Sequence, residues 1–288
     1  MNWITTSILM FISSIIYYLI TKKSIINGID RRIYLLVNFS IPLIFYLVMN
    51  VIQKNNIFIN PIILLLIFLN ALIFNYIGSN LGYLGIEKAP NAGYSVTIQK
   101  SYAVYTSIAS IFLFGQKLAA FKFFAILIII IATAFVLVDK KIKTIKADRS
   151  WIFYSIATLF FFGTLRLNNR LIIDHTHVLP ITMLFWSMTF TTFFCAIDFI
   201  KNRQKIKFRF EKSNILVLFG VGLAVTSFYY FLQISELIGP NLGYISAINT
   251  ASNAFYTLFV ALIFKDQLTW KKFLAILGVT VGLILLVV

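Results

Sequence analysis

Apolar blocks alternate with short polar segments along the whole chain. A stretch of roughly 17 to 25 apolar residues is long enough to cross ~30 Å of hydrocarbon as a helix. Ten blocks of this length are present, so the pattern predicts an all-α polytopic membrane protein with ten transmembrane helices. The predicted helices cover 3–21, 33–52, 62–86, 91–114, 119–138, 151–171, 179–200, 214–237, 240–264 and 270–288.

Composition supports the membrane interpretation. The chain has 288 residues, of which 60% are hydrophobic and 12% are charged, and its mean hydropathy is +0.91. The charged share is about half that of an ordinary soluble domain, which excludes a single water-soluble core. No basic residue precedes the first apolar block, whereas Lys22 and Lys23 follow it, so we predict no cleavable signal peptide. The expected location is a prokaryotic cell membrane, crossed many times.

The net charge of +16 changes this picture little. A basic balance can indicate nucleic-acid binding, but here the lysines and arginines gather between the apolar blocks, as the positive-inside rule predicts. We therefore expect membrane lipid, and no nucleic acid, as a partner. Connections after odd-numbered blocks carry 19 basic residues and those after blocks 2, 4 and 8 carry 3. This count places both termini outside.

No metal, cofactor or catalytic residue is predicted. Cys195 is the only cysteine, which excludes a disulfide within the chain and a cysteine metal cluster. His175 and His177 form a lone H-x-H pair, and all nine acidic residues lie in loops or near helix ends. A membrane-embedded lipid-modifying enzyme would need clustered carboxylates to hold Mg²⁺. That alternative is the weakest, and we expect that the chain is not an enzyme.

An internal repeat indicates how the helices are organised. The sequence PNAGYSVTIQ near the start of the fourth block aligns with PNLGYISAIN in the ninth at an offset of 150. Matches among Ile, Leu and Phe mean little in so apolar a chain, but the identities also include Pro90/Pro240, Asn91/Asn241, Gly93/Gly243 and Tyr94/Tyr244. We predict a first five-helix repeat over 1–138, a basic connecting loop over 139–150 and a second repeat over 151–288. Five helices invert the second half, a plan common in secondary transporters, whose substrate site lies near the midplane between the halves.

The same segments resemble a known family. The corners LFGQKL (113–118) and IFKDQL (263–268), with NYIGSNLGYLGIEKAP and TSFYYFLQISELIGP before the two repeated segments, are similar to the doubled signature of the EamA-type branch of the drug/metabolite transporter superfamily. The resemblance covers nearly the whole chain. It implies a ten-helix secondary carrier, often an exporter of amino acids or other small metabolites. The family is usually drawn with both termini inside, opposite to the basic count, so the orientation stays open.

Two departures from that signature concern single positions. The corner acid of the family is Gln116 in the first half and Asp266 in the second. The proline common in the middle of the fourth and ninth helices is replaced by Ala103 and Asn253.

Lys100 is the most informative single residue. In a regular helix it lies about nine residues into the fourth block, ~13 Å along the axis, where a charge costs roughly 2.5–3.5 kcal/mol. Its repeat mate is Thr250, so symmetry does not require the charge. Its predicted face is small and polar, with Gly93, Thr97, Ala103 and Ser107, and excludes Tyr102 and Tyr105. We predict that Lys100 lines a cavity; the alternatives are snorkelling and an ion pair.

Other polar residues are candidate substrate contacts. Arg166, placed one or two turns from the end of the sixth helix, could grip a carboxylate bidentately or snorkel. The further candidates are Thr97, Gln99, Asn75, Ser79, Tyr230, Gln233, Asn249 and Asn253. Any of them could instead satisfy a neighbouring helix. With cations and no mid-membrane carboxylate in the path, the field favours anionic or zwitterionic ligands.

These observations predict an exporter of small organic metabolites, such as amino acids or other carboxylate-bearing solutes, that works by alternating access. A lipid or drug exporter or flippase of the same fold is the main alternative, and a wide, laterally open cavity lined by Phe and Tyr would favour it. The expected partners are a small-molecule solute, membrane lipid and a second copy of the chain in a homodimer.

Overall fold

The structure is a computed structural model that describes residues 2–88, 92–117, 119–137, 150–206, 211–264 and 270–287. Within these ranges the chain forms ten helices in succession. They are α1 Trp3–Ile26, α2 Arg31–Ile52, α3 Pro61–Lys88, α4 Ala92–Lys100 continuing as Tyr102–Phe114, α5 Ala120–Leu137, α6 Ser150–Thr176, α7 Pro180–Asn202, α8 Lys212–Ile238, α9 Leu242–Phe264 and α10 Trp270–Val287. A short 3₁₀ turn, Arg203–Lys205, follows α7.

The helices form an all-α polytopic membrane protein. In the described part of the chain, six of them are long and apolar enough to cross a membrane: α1, α2, α3, α6, α7 and α8. Large apolar side chains face outward, among them Phe112 at 81% exposure and Phe153 at 68%. Small polar side chains such as Ser14 and Thr106 are fully buried. This distribution suits a lipid surround, where helices associate through small and polar residues.

Local sequence sets several helix starts. Asn2, Asp30 and Asn60 each accept a hydrogen bond of 2.8 Å from a backbone N–H in the first turn of α1, α2 and α3. Such caps satisfy backbone donors that have no partner inside the helix. The backbone N–H of Leu242 at the start of α9 donates to Gln116 Oε1 at 3.1 Å. Gln116, at the corner where the family has an acid, therefore caps a helix of the other half. Its counterpart Asp266 lies outside the described residues.

Two helices depart from regular α geometry. Residues Ala71–Ile77 of α3 form a π-helical segment. In α4, the N–H of Ser101 bonds to the carbonyl of Ile98 at 3.1 Å, and the N–H of Val104 bonds to Ser101 at 3.2 Å. These three-residue spacings tighten the helix between its two parts. Side chains that follow each irregular segment are therefore rotated from the faces a regular helix would give them.

The helices pair across the two halves of the chain. The main pairs are α1 with α8, α3 with α6, α2 with α7, α4 with α9 and α5 with α10. Exchanging the first five helices with the last five leaves this set of pairs unchanged. The pairing is the arrangement expected of a duplicated five-helix unit. The division into repeats stays a prediction, and all but the last residue of the connecting loop at 139–150 lies outside the described residues.

Candidate functional site

A cavity of about 80 Å³ lies where seven helices meet, four from the first half and three from the second. Its charged lining residues are Lys100 on α4 and Arg166 on α6, and in the described ranges its lining includes no carboxylate. Six tyrosines contribute to the wall: Tyr17, Tyr18, Tyr34, Tyr83, Tyr102 and Tyr229. The cavity thus combines two cations with aromatic faces and phenolic hydroxyls.

Neutral oxygens hold the Lys100 ammonium. Its Nζ donates to the backbone carbonyl and Oδ1 of Asn249, at 3.1 and 3.2 Å, and to the hydroxyls of Ser14 and Ser252, at 3.3 and 3.1 Å. The side chain is only 3% exposed, so snorkelling is not its role. In the described part of the chain no carboxylate forms an ion pair with it. Among the described residues, neutral dipoles solvate this positive charge and no anion balances it.

Asn249 orients this cluster. Its Nδ2 donates to the Tyr102 hydroxyl at 2.9 Å, which turns Oδ1 toward Lys100. Ser252 lies three residues further along α9, on the same helical face as Asn249. Ser14, on α1, forms hydrogen bonds with both Asn249 and Ser252. The Lys100 ammonium also lies 4.3 Å from the centre of the Tyr18 ring, a cation–π distance.

Tyr102 corrects a prediction from the sequence. A regular α4 would place Lys100 away from both Tyr102 and Tyr105, but the turn at Ser101 brings Tyr102 into the lining beside Lys100. Tyr105 does lie elsewhere, within 3.3 Å of the Thr164 hydroxyl. The expectation failed because it assumed continuous α geometry where three-residue hydrogen bonds intervene.

Arg166 is deeper than the sequence suggested. The α6 helix continues to Thr176, ten residues beyond it, and its side chain is 5% exposed. The predicted end at 171 was too early by five residues, and Asn168 and Asn169 bond inward to Asn70 at 3.1 and 2.7 Å.

The guanidinium of Arg166 has one anionic neighbour in the described ranges. Its Nε lies 3.7 Å from Oε1 of Glu236, and its Cζ lies 5.4 Å from the centre of the Tyr229 ring. Glu236 is near the end of α8, as the sequence indicated, but it is buried at 1% exposure. The sequence offered no sign of this pair, because the two residues are 70 positions apart.

Three further candidates line the same cavity: Ser79, Gln99 and Asn249. Gln99 Nε2 donates to the Gly82 carbonyl at 3.0 Å and to the Ser95 hydroxyl at 2.8 Å. Its amide therefore joins α4 to α3 at the cavity wall.

Four other candidates do not line this cavity. Asn75 donates to the Thr191 hydroxyl at 3.0 Å, and Gln233 accepts from Asn169 at 3.4 Å, so both connect neighbouring helices. Tyr230 and Asn253 are also absent from the lining. Asn75 lies in the π-helical segment, whose turn is wider than that of an α-helix, so the spacing of four does not place Asn75 and Ser79 on one face. The Thr97 side chain lies outside what the structure describes.

The sequence reasoning did not select most of the tyrosines. Tyr17, Tyr34 and Thr21 form a hydroxyl chain, with Tyr34 2.8 Å from Thr21 and 3.1 Å from Tyr17. Tyrosine within an apolar helix needs a partner for its hydroxyl, and Tyr18 is the repeat mate of Arg166 at an offset of 148. These two signals together could have identified the aromatic wall.

The fold and the cavity define a polytopic helical membrane protein whose central site is built from both halves of the chain. The family model for EamA-like transporters matches residues 149–288, which supports membership of the drug/metabolite transporter superfamily. No curated protein matches it in sequence. A solved structure described as the crystal structure of a protein is similar, with a TM-score of 0.78 and 11% identity over 98% of this chain and 97% of that chain. That likeness concerns the fold alone.

Proposed function

We propose that the chain is a secondary transporter that exports small carboxylate-bearing solutes, such as amino acids, across a prokaryotic cell membrane. One observation carries the proposal. Both charged residues that line the cavity in the described ranges are cations, and one of them, Lys100, has only neutral hydrogen-bond acceptors.

A carboxylate supplies what this site lacks. A buried ammonium is costly unless an anion compensates it, and an entering carboxylate brings that anion together with hydrogen-bond acceptors. The planar guanidinium of Arg166 matches a carboxylate in a two-bond geometry. For a zwitterionic solute, the aromatic faces of the tyrosine wall suit the ammonium group.

The position of the cavity supports alternating access as the transport mechanism. Helices α1–α4 of the first half and α6, α8 and α9 of the second enclose it. A site between two pseudo-symmetric halves opens to either side when one half tilts against the other. The solute leaves chemically unchanged, which distinguishes the proposal from an enzyme; a modified lipid or solute product would favour the enzyme instead.

The aromatic wall favours one other function, export of drugs or lipids. Phe162 and Phe228 join the six tyrosines in the lining. A volume of about 80 Å³ is small for such ligands, since drug-sized molecules occupy pockets of roughly 300–1,000 Å³. Two cations also repel the cationic drugs that an aromatic wall would otherwise attract. The carboxylate proposal therefore accounts for more of the site.

The experiment is a flux panel in proteoliposomes that contain the purified full chain. Each carboxylate, for example L-alanine or L-phenylalanine, is paired with its amide, and a lipophilic cation and a fluorescent phospholipid represent the alternative. We expect flux of at least one carboxylate and at least tenfold slower flux of its amide. Equal flux of acid and amide, or movement of only the cation or lipid, would overturn the proposal.

A further inference from the structure

We propose that Glu236 is a proton-binding site that couples solute movement to a proton, because the solute carboxylate and Glu236 compete for Arg166. The inference deepens the proposed function and rests on it. It assigns a coupling ion, the proton, and a residue that carries it.

The contact between Arg166 and Glu236 is loose for a buried pair. Its 3.7 Å separation exceeds hydrogen-bond length. Three buried atoms of this pair have no hydrogen-bond partner among the described residues. They are the two carboxylate oxygens of Glu236 and the Nε of Arg166. Arg166 lines the cavity and Glu236 does not. A solute carboxylate can therefore approach the guanidinium from the cavity side, opposite a partner that holds it weakly.

The other cation that acts on Glu236 in the described ranges is Arg170, also on α6. Arg170 binds Asp174 through Nε at 2.6 Å and donates through Nη1 to the backbone carbonyls of Glu236 and Leu237. None of these bonds reaches the Glu236 carboxylate.

The titratable groups around Glu236 are few. In the described part of the chain, the charged groups that act on it are Arg166 and Arg170 from α6. Tyr102 faces it from α4, and Tyr229, on α8 itself, lies against Arg166. The other helices packed on α8, which are α1, α2, α7 and α9, contribute no charged group to its surroundings in the described ranges.

The chemistry follows from which group can change its charge. Arginine keeps its proton in proteins. When a solute carboxylate pairs with Arg166, Glu236 loses its ion-pair partner, and a buried charge that loses its compensation neutralises by taking a proton. One O–H bond forms on Glu236 and one O–H bond of a hydronium ion breaks, which leaves a water molecule.

The balance of charge gives a stoichiometry. The empty site holds the Lys100 and Arg166 cations and the Glu236 anion. The loaded site holds the same two cations, one solute carboxylate and neutral Glu236, so its net charge is unchanged. Each carboxylate therefore moves with one proton, and the two leave the cell together when the outward solute gradient exceeds the inward proton gradient.

The test uses proteoliposomes loaded with the pH dye pyranine and the carboxylate that moves fastest in the flux panel. Net flux is measured beside proton movement, and exchange of labelled for unlabelled solute is measured with solute on both sides. We expect one proton per solute in the natural protein. In Glu236→Gln, the rate of solute exchange should stay within about threefold of that of the natural protein. Proton movement should be lost, and the solute accumulation driven by a pH gradient should fall at least tenfold. The control Glu87→Gln removes an exposed carboxylate at the end of α3. It should change neither proton movement nor the accumulation driven by a pH gradient.

Each result bears on the inference separately from the transport function. Solute flux without proton movement in the natural protein, or unchanged proton coupling in Glu236→Gln, would overturn the proton site and leave the transporter standing. If Glu236→Gln fails to purify as a single species, the proton stoichiometry of the natural protein decides alone. Absence of carboxylate flux in the natural protein would overturn the transport function, and the coupling with it.

Discussion

The hydroxyl of Thr250 donates a hydrogen bond of 3.0 Å to the backbone carbonyl of Lys100. The two residues are repeat mates at an offset of 150. In a two-fold arrangement, mates can touch each other only close to the axis. In the predicted repeat, helices α4 and α9 therefore cross near the two-fold axis at Lys100. The ammonium makes this pair of positions asymmetric, because the mate Thr250 carries no charge.

Replacing Lys100 with Met should separate transport from folding. Methionine keeps the length of the side chain and removes its charge, so we expect carboxylate flux to fall at least tenfold. Stability should hold or rise, because the buried ammonium is costly, by roughly 2.5–3.5 kcal/mol near a membrane centre. Proteoliposome uptake and thermal unfolding in detergent measure the two effects. Lys100→Arg keeps the charge and should retain part of the flux; undiminished flux in Lys100→Met would refute the cavity role.

The Arg166–Glu236 pair predicts a double-mutant result. Removing one partner of a buried pair leaves the other uncompensated and costs ~3–5 kcal/mol, so Arg166→Gln should lower the unfolding temperature clearly. The double variant Arg166→Gln/Glu236→Gln should recover most of that loss but not carboxylate transport. Thermal unfolding and flux are the measurements.

The control for that cycle lies one turn away. Asp174 pairs with Arg170 at 2.6 Å and is about one-third exposed. Exposed pairs contribute ~0–1 kcal/mol, so Asp174→Asn should shift unfolding little. Equal destabilisation by Asp174→Asn and Arg166→Gln, or no recovery in the double variant, would show that Arg166 and Glu236 are not coupled.

Sequence periodicity predicted the helices well because each apolar block must form its hydrogen bonds within itself in lipid. The ends were less predictable. The α6 helix continues past 171 to Thr176, and its Asn168 and Asn169 bond to Asn70, a residue about 100 positions earlier. A polar residue near a block end reads as a boundary in the sequence alone, whereas a partner on another helix makes it part of the interior.

The sequence predicted those features of the site that depend on a single helix. It did not predict the features that depend on contacts between several helices. Lys100 stands out within its own block, and the structure places it in the cavity lining. Its solvating groups come from α1 and α9, and the Tyr102 position depends on the turn at Ser101. Glu236 was predicted correctly near a helix end, but its burial against Arg166 depends on how α6 and α8 approach. Such relations depend on packing between helices, which hydropathy does not encode.

The crossing of α4 and α9 predicts a sharp glycine requirement. A Cβ on Gly243 would overlap the side chain of Ser107 and come within 2.8 Å of its Cα. Overpacking of this kind costs typically ~1–3 kcal/mol, so Gly243→Ala should lower the unfolding temperature and slow transport. Gly220→Ala is the control, because the nearest atom to its new Cβ is the end of the flexible Ile20 side chain at 3.4 Å. We expect this variant to keep its unfolding temperature and its transport rate. Equal unfolding temperatures for the two variants would contradict the close approach.

Asn249→Asp tests the charge of the cavity at the residue that holds Lys100. In the natural protein the Lys100 ammonium lies 3.2 Å from Asn249 Oδ1, and the aspartate keeps an oxygen at that position. The Tyr102 hydroxyl can donate to the second carboxylate oxygen. It supplies internally the anion that we propose the solute brings. We expect KM for the carboxylate to rise at least tenfold, equivalent to about 1.4 kcal/mol, with little change in unfolding temperature. Gln53→Glu adds the same charge at the exposed end of α2 and should leave KM unchanged. If Asn249→Asp also left KM unchanged, the solute carboxylate would not be the group that compensates the positive charge of Lys100.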